Sequence, residues 1–196
     1  MPSREREYRA FSVMGVQEQD QAYMVRGHAS TFDRYLLYKD GENEYYEQFD
    51  PGAFDGADLS DVVYRVDHTG PVYARTSAGT LRVFVDAQGL AMEADLSRTQ
   101  SARGHYEDIK AGNYPQMSFA FVVREESYDR ETRTRRILQV DKVYDVSPVS
   151  FPANPGTDIS ARACLDGVIQ AENAERLEAE RREHQKKRLD IRLRTR

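Results

Sequence analysis

The chain has 196 residues, 39% of them hydrophobic and 31% charged, with a net charge of −5. A body of about 150 residues buries roughly 68–70% of its unfolded surface, so stability requires no disulfide or metal staple. Its one cysteine, Cys164, excludes an internal disulfide and a cysteine-based metal centre.

No stretch approaches the roughly 20 apolar residues of a membrane span. Met1 to Glu7 is charged and lacks an apolar region, so no secretory signal is expected and a reducing, cytoplasmic setting fits. The four histidines (His28, His68, His105, His184) are widely spaced, with neither HExxH nor CxxC, so no metal or cofactor is expected. From Arg162 onward there are ten Lys/Arg against seven Asp/Glu, which leaves −8 on the first 161 residues. A mildly acidic body with a basic tail argues against nucleic acid as partner of the body, and suggests that the tail meets a different surface.

Residues 1–20 are polar and read as a flexible lead. Ala22 to Ser30 reads as a strand that Gly27 weakens or bulges. Residues 33–50, rich in Tyr, Glu and Asp, read as a long connection, ended by the turn signal Asp50-Pro51-Gly52. Val62 to Val66 is β-rich and runs into Asp67-His68. Thr80 to Leu96 is the clearest hairpin: Leu81, Val83 and Val85 alternate, Asp86 to Gly89 turns, and Leu90, Met92, Ala94 and Leu96 alternate back.

Residues 101–112 read as a short helix opened by Ser101 and closed by Gly112. In the strand Gln116–Glu125, Met117, Phe119, Phe121 and Val123 share one face, and Ser118, Ala120 and Val122 the other. After a polar turn at 128–133, Arg136 to Val146 returns as a strand. Ser147 to Pro155 is too proline-rich for a central strand and reads as a loop. Residues 165–190 form a charged, weakly amphipathic helix. Strands in quick succession with few helices imply a mainly β fold of α+β class, its antiparallel sheet closed to remove edges.

No short motif announces an enzyme; GxSxG and the P-loop are absent. Ser118 and His68 are nonetheless candidates. A serine hydroxyl needs a base to accept its proton, and histidine is the natural base near neutral pH. His68 ends a strand and precedes the turn Thr69-Gly70-Pro71, which sets its ring at a rim. Taken alone, a serine alternating with apolar residues in a strand is more often a surface residue.

An ordered series of short patterns carries more weight. It comprises Gly27-His-Ala-Ser-Thr-Phe-Asp33, Phe49-Asp-Pro-Gly-Ala-Phe54, Val66-Asp-His68, Thr80-Leu81, Gly89-Leu90, Met117-Ser-Phe-Ala-Phe121, Asp145-Val-Ser-Pro-Val149, Pro152-Ala-Asn-Pro155 and Thr157-Asp-Ile159. In this order the series resembles the prohead protease family of tailed phages, related in fold to the herpesvirus assemblins, serine proteases on a closed β-barrel. The resemblance implies a β-barrel domain over 21–162 and a charged helical tail over 163–196 that serves targeting or is removed by self-cleavage. It implies Ser118 as nucleophile, His68 as base and Asp145 as third member, with Asp141 a weaker alternative on the same strand. Asp67 is disfavoured, because neighbouring strand residues face opposite ways. Ala120 stands where the family usually has glycine.

The implied function is a serine endopeptidase of viral capsid maturation in a bacteriophage. It would act inside the assembling procapsid in the bacterial host cytoplasm. The implied substrates are the scaffold protein, the scaffolding segment of the major capsid protein, and the chain itself. A homo-oligomer is expected, since the herpesvirus relatives need dimerisation. The rivals are a non-catalytic procapsid assembly module on the same barrel and a nucleic-acid binder acting through the tail. His28 and His105 are expected to be structural, Arg75 to pair structurally or touch substrate, and Gly52, Gly89 and Gly112 to serve turns and caps. Cys164 is assigned no role.

Overall fold

A computed structural model describes residues 5–11, 14–15, 23–150 and 159–194. The chain divides into two units, Met1–Asp158 and Ile159–Arg196. The elements run β1 (Glu7–Phe11), β2 (Met14–Gly15), β3 (Met24–Thr31), β4 (Tyr35–Asp40), β5 (Asn43–Phe49), β6 (Val63–Arg65), β7 (Val72–Arg75), β8 (Leu81–Val85), β9 (Gly89–Asp95), α1 (Gln100–Lys110), β10 (Gln116–Asp129), β11 (Thr134–Val149) and α2 (Ile159–Arg194). The class is α+β, mostly strand with two helices.

The strands form two sheets. A seven-stranded sheet runs β1-β10-β11-β5-β4, with β6 on β11 and β7 on β6; a four-stranded sheet runs β2-β3-β9-β8. Among the described residues neither sheet closes on itself, so the expected closed barrel is corrected to two open sheets. Nor is the pairing purely antiparallel. β5 and β6 both lie parallel to β11, at its start and near its end. Between them the chain stays beside β11: Asp50 N bonds Ile137 O, Val140 N bonds Ala53 O, and Asp58 N bonds Asp141 O. Residues 43–65 therefore track along one strand and deliver the end of β6 next to Asp145.

The core lies between Phe49, Phe54, Phe119 and Phe121, whose rings meet at 4.5–6.2 Å between centroids. Phe119 and Phe121 are two apart on β10 and so share its core face.

Four features depart from the sequence reading. Within the expected lead, Glu7–Phe11 is a strand paired with β10; residues 16–20 lie outside the described residues. The expected connection 33–50 contains the β4–β5 hairpin, turned at Gly41-Glu42 with Gly41 at φ +60°. Helix α1 is capped by Thr99, whose hydroxyl accepts from Ala102 N, rather than by Ser101. Finally, β11 extends through Pro148 to Val149. Beyond Val146 no described strand pairs on the side of β11 away from β10, so the missing proline N–H leaves no ladder bond unmade there. The remainder of that expected loop, residues 151–155, lies outside the described residues.

Gly89 closes the β8–β9 turn as expected, its N–H donating to Asp86 Oδ1 at 3.0 Å, and it also permits a close approach. A Cβ there would lie 2.0 Å from Ser30 O, so only glycine lets β9 approach β3 so closely. Helix α2 spans Ile159–Arg194, with side chains exposed along most of the described stretch and i,i+4 pairs such as Lys187–Glu183 at 2.7 Å. No described helix is long and apolar enough to cross a membrane.

Candidate active site

Period-two alternation places one set of side chains on the face of the large sheet opposite its phenylalanine core. On β10 this face carries Ser118 and Ala120. In register beside them lie Ala10 and Tyr8 of β1 on one side, and Ser147 and Asp145 of β11 on the other. The alternation of β11 would not extend back to Asp141, because Tyr144 is an extra residue where the register shifts between Ala120 and Phe121. Asp141 instead faces Arg124, 2.6 Å away and exposed. On an unbroken strand Asp141, four residues before Asp145, would share its face; the bulge at Tyr144 breaks that spacing.

His68 arrives from β6. After Arg65 the chain makes a tight turn, Val66–His68, in which Asp67 and His68 both adopt left-handed backbone, φ 47° and 58°. Non-glycine residues seldom sit there, and such conformations cluster at functional sites. The turn folds the imidazole back over the sheet. His68 Nδ1 lies 2.7 Å from Asp145 Oδ1, and Nε2 lies 2.6 Å from Ser118 Oγ. A carboxylate only accepts, so Nδ1 carries the proton and donates to Asp145. That leaves Nε2 to accept from the Ser118 hydroxyl. The structure thus brings Ser118, His68 and Asp145 into one chain of hydrogen bonds.

The surroundings fix this chain. Ser147 Oγ donates to the same Asp145 Oδ1 at 2.6 Å. Asp145 and Ser118 are nearly dry, and Ala120, opposite Asp145, is fully buried. Tyr8 meets the His68 ring edge-on, centroids 4.7 Å apart. The sequence reading missed Ser147, though it lies two residues beyond Asp145 and so on the same face. It also missed Tyr8, which carries no signal until β1 is known to pair.

The remaining candidates lie elsewhere. Asp67 points away from the imidazole and accepts from Ser150. Arg75 pairs bidentately with Asp61 at 2.6 Å, and its bond, with one from Ser77, holds the Asp61 carboxyl down at about 2. His28 bonds Asp86, the residue that turns the β8–β9 hairpin. His105 is buried on α1 and stacked on Tyr73 at 4.5 Å; burial lowers its pKa to about 4. His184 is exposed on α2, and the Cys164 side chain lies outside the described residues. Among the described residues no His, Cys, Asp and Glu side chains gather to hold a metal ion.

Beside the site lies a second polar group on the core side of β1. Glu7, Arg9, Glu47 and Arg135 are buried together. Arg9 donates to Glu7 and Glu47 at 2.5–3.0 Å, and Arg135 to the same two at 2.6–2.8 Å. Tyr35 adds a bond to Glu47, and Glu126 a further acceptor for Arg135. Burial raises the Glu47 carboxyl, but Arg9, Arg135 and these bonds outweigh it and bring it down to about 2.

Compared with known proteins, residues 10–168 match the family model described as caudovirus prohead serine protease. Comparison with curated proteins and with solved structures finds no match.

Proposed function

The chain belongs to the caudovirus prohead serine proteases, and from that premise we propose that Ser118, His68 and Asp145 are its catalytic triad. The family makes it a serine peptidase, a hydrolase of peptide bonds, acting in capsid maturation inside the phage prohead. The observation that carries the triad reading is the unbroken hydrogen-bond chain from Ser118 Oγ through His68 to Asp145.

Ser118 Oγ attacks the scissile carbonyl while His68 Nε2 takes its proton. The imidazolium so formed sits against the Asp145 carboxylate, which holds the tautomer and stabilises the charge. His68 then gives the proton to the leaving amine. Water enters by the same route in reverse and releases the acyl group from Ser118. Proton transfer by such a base contributes typically about 10²–10⁴-fold. Ser147 steadies Asp145 from behind.

The substrates in this reading are scaffold protein, the scaffolding segment of the major capsid protein and the chain itself. The place is a procapsid assembling in the bacterial host cytoplasm, and the enzyme is a homo-oligomer. Removal of scaffold makes room for DNA. The test is co-expression with the phage's own capsid and scaffold proteins, wild type beside Ser118→Ala, read by intact mass. Discrete products that vanish in S118A are expected. Identical products from both remove Ser118 as nucleophile; normal maturation with S118A brings forward the non-catalytic assembly module.

A further inference from the structure

We infer that Asp67 is a positioning residue that latches the histidine turn to the end of β11, so that His68 Nε2 stays in line with Ser118 Oγ. The inference rests on the triad reading above. Asp67 and His68 are consecutive residues in left-handed conformation, the first at φ 47°, ψ 37°. A turn of this kind persists only where its surroundings over-determine it.

Three sets of bonds hold it. Val66 O accepts from Gly70 N at 2.7 Å and from Thr69 N at 3.2 Å. Arg65 donates across the turn to Gly70 O at 3.1 Å. The third set leaves the turn altogether. The Asp67 carboxylate accepts from Ser150 N at 3.0 Å and from Ser150 Oγ at 3.1 and 3.2 Å. Gly70 completes the packing: a Cβ there would lie 2.7 Å from Val66 O.

The geometry gives the third set its role. The first two close the turn upon itself and say nothing about where it sits. Among the described residues, two side-chain hydrogen-bond sets tie the turn to β11 and its end: His68 to Asp145, and Asp67 to Ser150, five residues further on. Tyr8 packs on the ring and Tyr64 pairs with Val146, but without the Asp67 bond the turn beyond Val66 can rock about the Asp145 bond. The second anchor, on the neighbouring residue and the opposite side of the turn, removes that freedom. The Asp67 carboxylate is exposed and no part of the proton path, so its effect is on orientation alone. A misplacement of about 1 Å at a reacting atom can cost about 10²-fold.

The test separates the latch from the backbone preference. Asn tolerates the left-handed region and offers a carbonyl oxygen to Ser150 N and Oγ. Glycine tolerates the conformation and offers nothing. The full chain is reacted with a fluorophosphonate: Ser118 Oγ bonds phosphorus, fluoride leaves, and the hydroxyl proton passes to His68. The labelling rate is split into its maximal rate and half-saturating concentration, with Ser118 identified by mass.

The expected result is Asp67→Asn near the wild-type rate. Asp67→Gly should fall about tenfold in maximal rate with half-saturation unchanged. Full-rate labelling of Asp67→Gly, even with a lowered Tm, overturns the latch and leaves the triad standing. So does a loss in Asp67→Asn equal to that in Asp67→Gly. Labelling that persists in Ser118→Ala, or fails at Ser118 in the wild type, overturns the triad reading and the latch with it.

Discussion

Two polar groups lie on opposite faces of the same strands, and they differ in how completely they are closed. On the core face, Arg9 and Arg135 meet Glu7 and Glu47, all four dry, in a network of bonds that Tyr35 and Glu126 complete. On the other face, Asp145 is as dry as those carboxylates but its partner His68 keeps 17% of its side chain exposed. The first arrangement joins β1, β5 and β11 and leaves no room for change. The second is a line rather than a net, with a strong acceptor at one end and a hydroxyl proton at the other. Burial alone therefore does not mark a functional polar group. What marks it is an open end, where a proton can move.

Strand β1 serves both groups through its alternation. Glu7 and Arg9 enter the charge cluster, while Tyr8 and Ala10 flank His68 and Ser118. Variants that strike one face and spare the other separate the two groups. Asp145→Asn should lower Ser118 labelling about 10⁴-fold, because an amide turns the imidazole to the wrong tautomer. Its urea midpoint should stay near that of the wild type. Arg135→Met should do the reverse. It leaves Glu7 and Glu47 to Arg9 alone and takes Arg135 from Glu126, and breaking a buried ion pair costs about 3–5 kcal/mol. That loss is read by urea unfolding, with the labelling rate per folded molecule close to wild type. An Arg135→Met protein that is folded but fails to label would mean that the two faces are not separable.

The difference between the faces also governs what could be read from sequence. Ser118, His68 and Asp145 were reachable because short ordered patterns mark them, and they do meet at hydrogen-bond distance. The charge cluster was not reachable. Glu7-Tyr-Arg-Ala-Phe11 puts two charged residues on the core side, so hydropathy reads a polar lead where a strand lies. The same holds for Tyr35 and Glu47, whose satisfaction needs partners 12 to 88 residues away. Asp40-Gly41 was the one local signal of the β4–β5 hairpin. Ser147 was hidden by Pro148, since the open side of β11 at that point is a tertiary fact. Strands in quick succession suggested a closed antiparallel sheet; β5 and β6 instead join β11 in parallel, and among the described residues neither sheet closes.

Ser147→Ala acts within the active face alone. It removes one of two donors to Asp145 Oδ1 and leaves His68 as the other. Hydrogen bonds to charged groups are worth about 1.5–3 kcal/mol. Labelling should therefore slow about tenfold, with half-saturation unchanged. A Ser147→Thr variant keeps the hydroxyl and should recover most of the rate. Equal rates in Ser147→Ala and wild type would assign the hydroxyl to folding alone.

The smallest effect concerns a histidine in neither group. His105 packs α1 onto β7, which pairs with β6, the strand that leads to His68. Burial lowers its pKa from 6.5 to about 4, so the folded chain holds it neutral while the unfolded chain binds a proton below 6.5. The stability it contributes is complete above pH 6.5 and is lost as pH falls toward 4. At pH 5.5 the loss is about 1 kcal/mol. His105→Phe retains a ring on Tyr73 and removes the titration. Urea unfolding of the two proteins should therefore converge as pH drops from 7 to 5, the wild type losing more. If the gap stays constant across that range, His105 is not the group whose protonation weakens the support beneath the histidine turn.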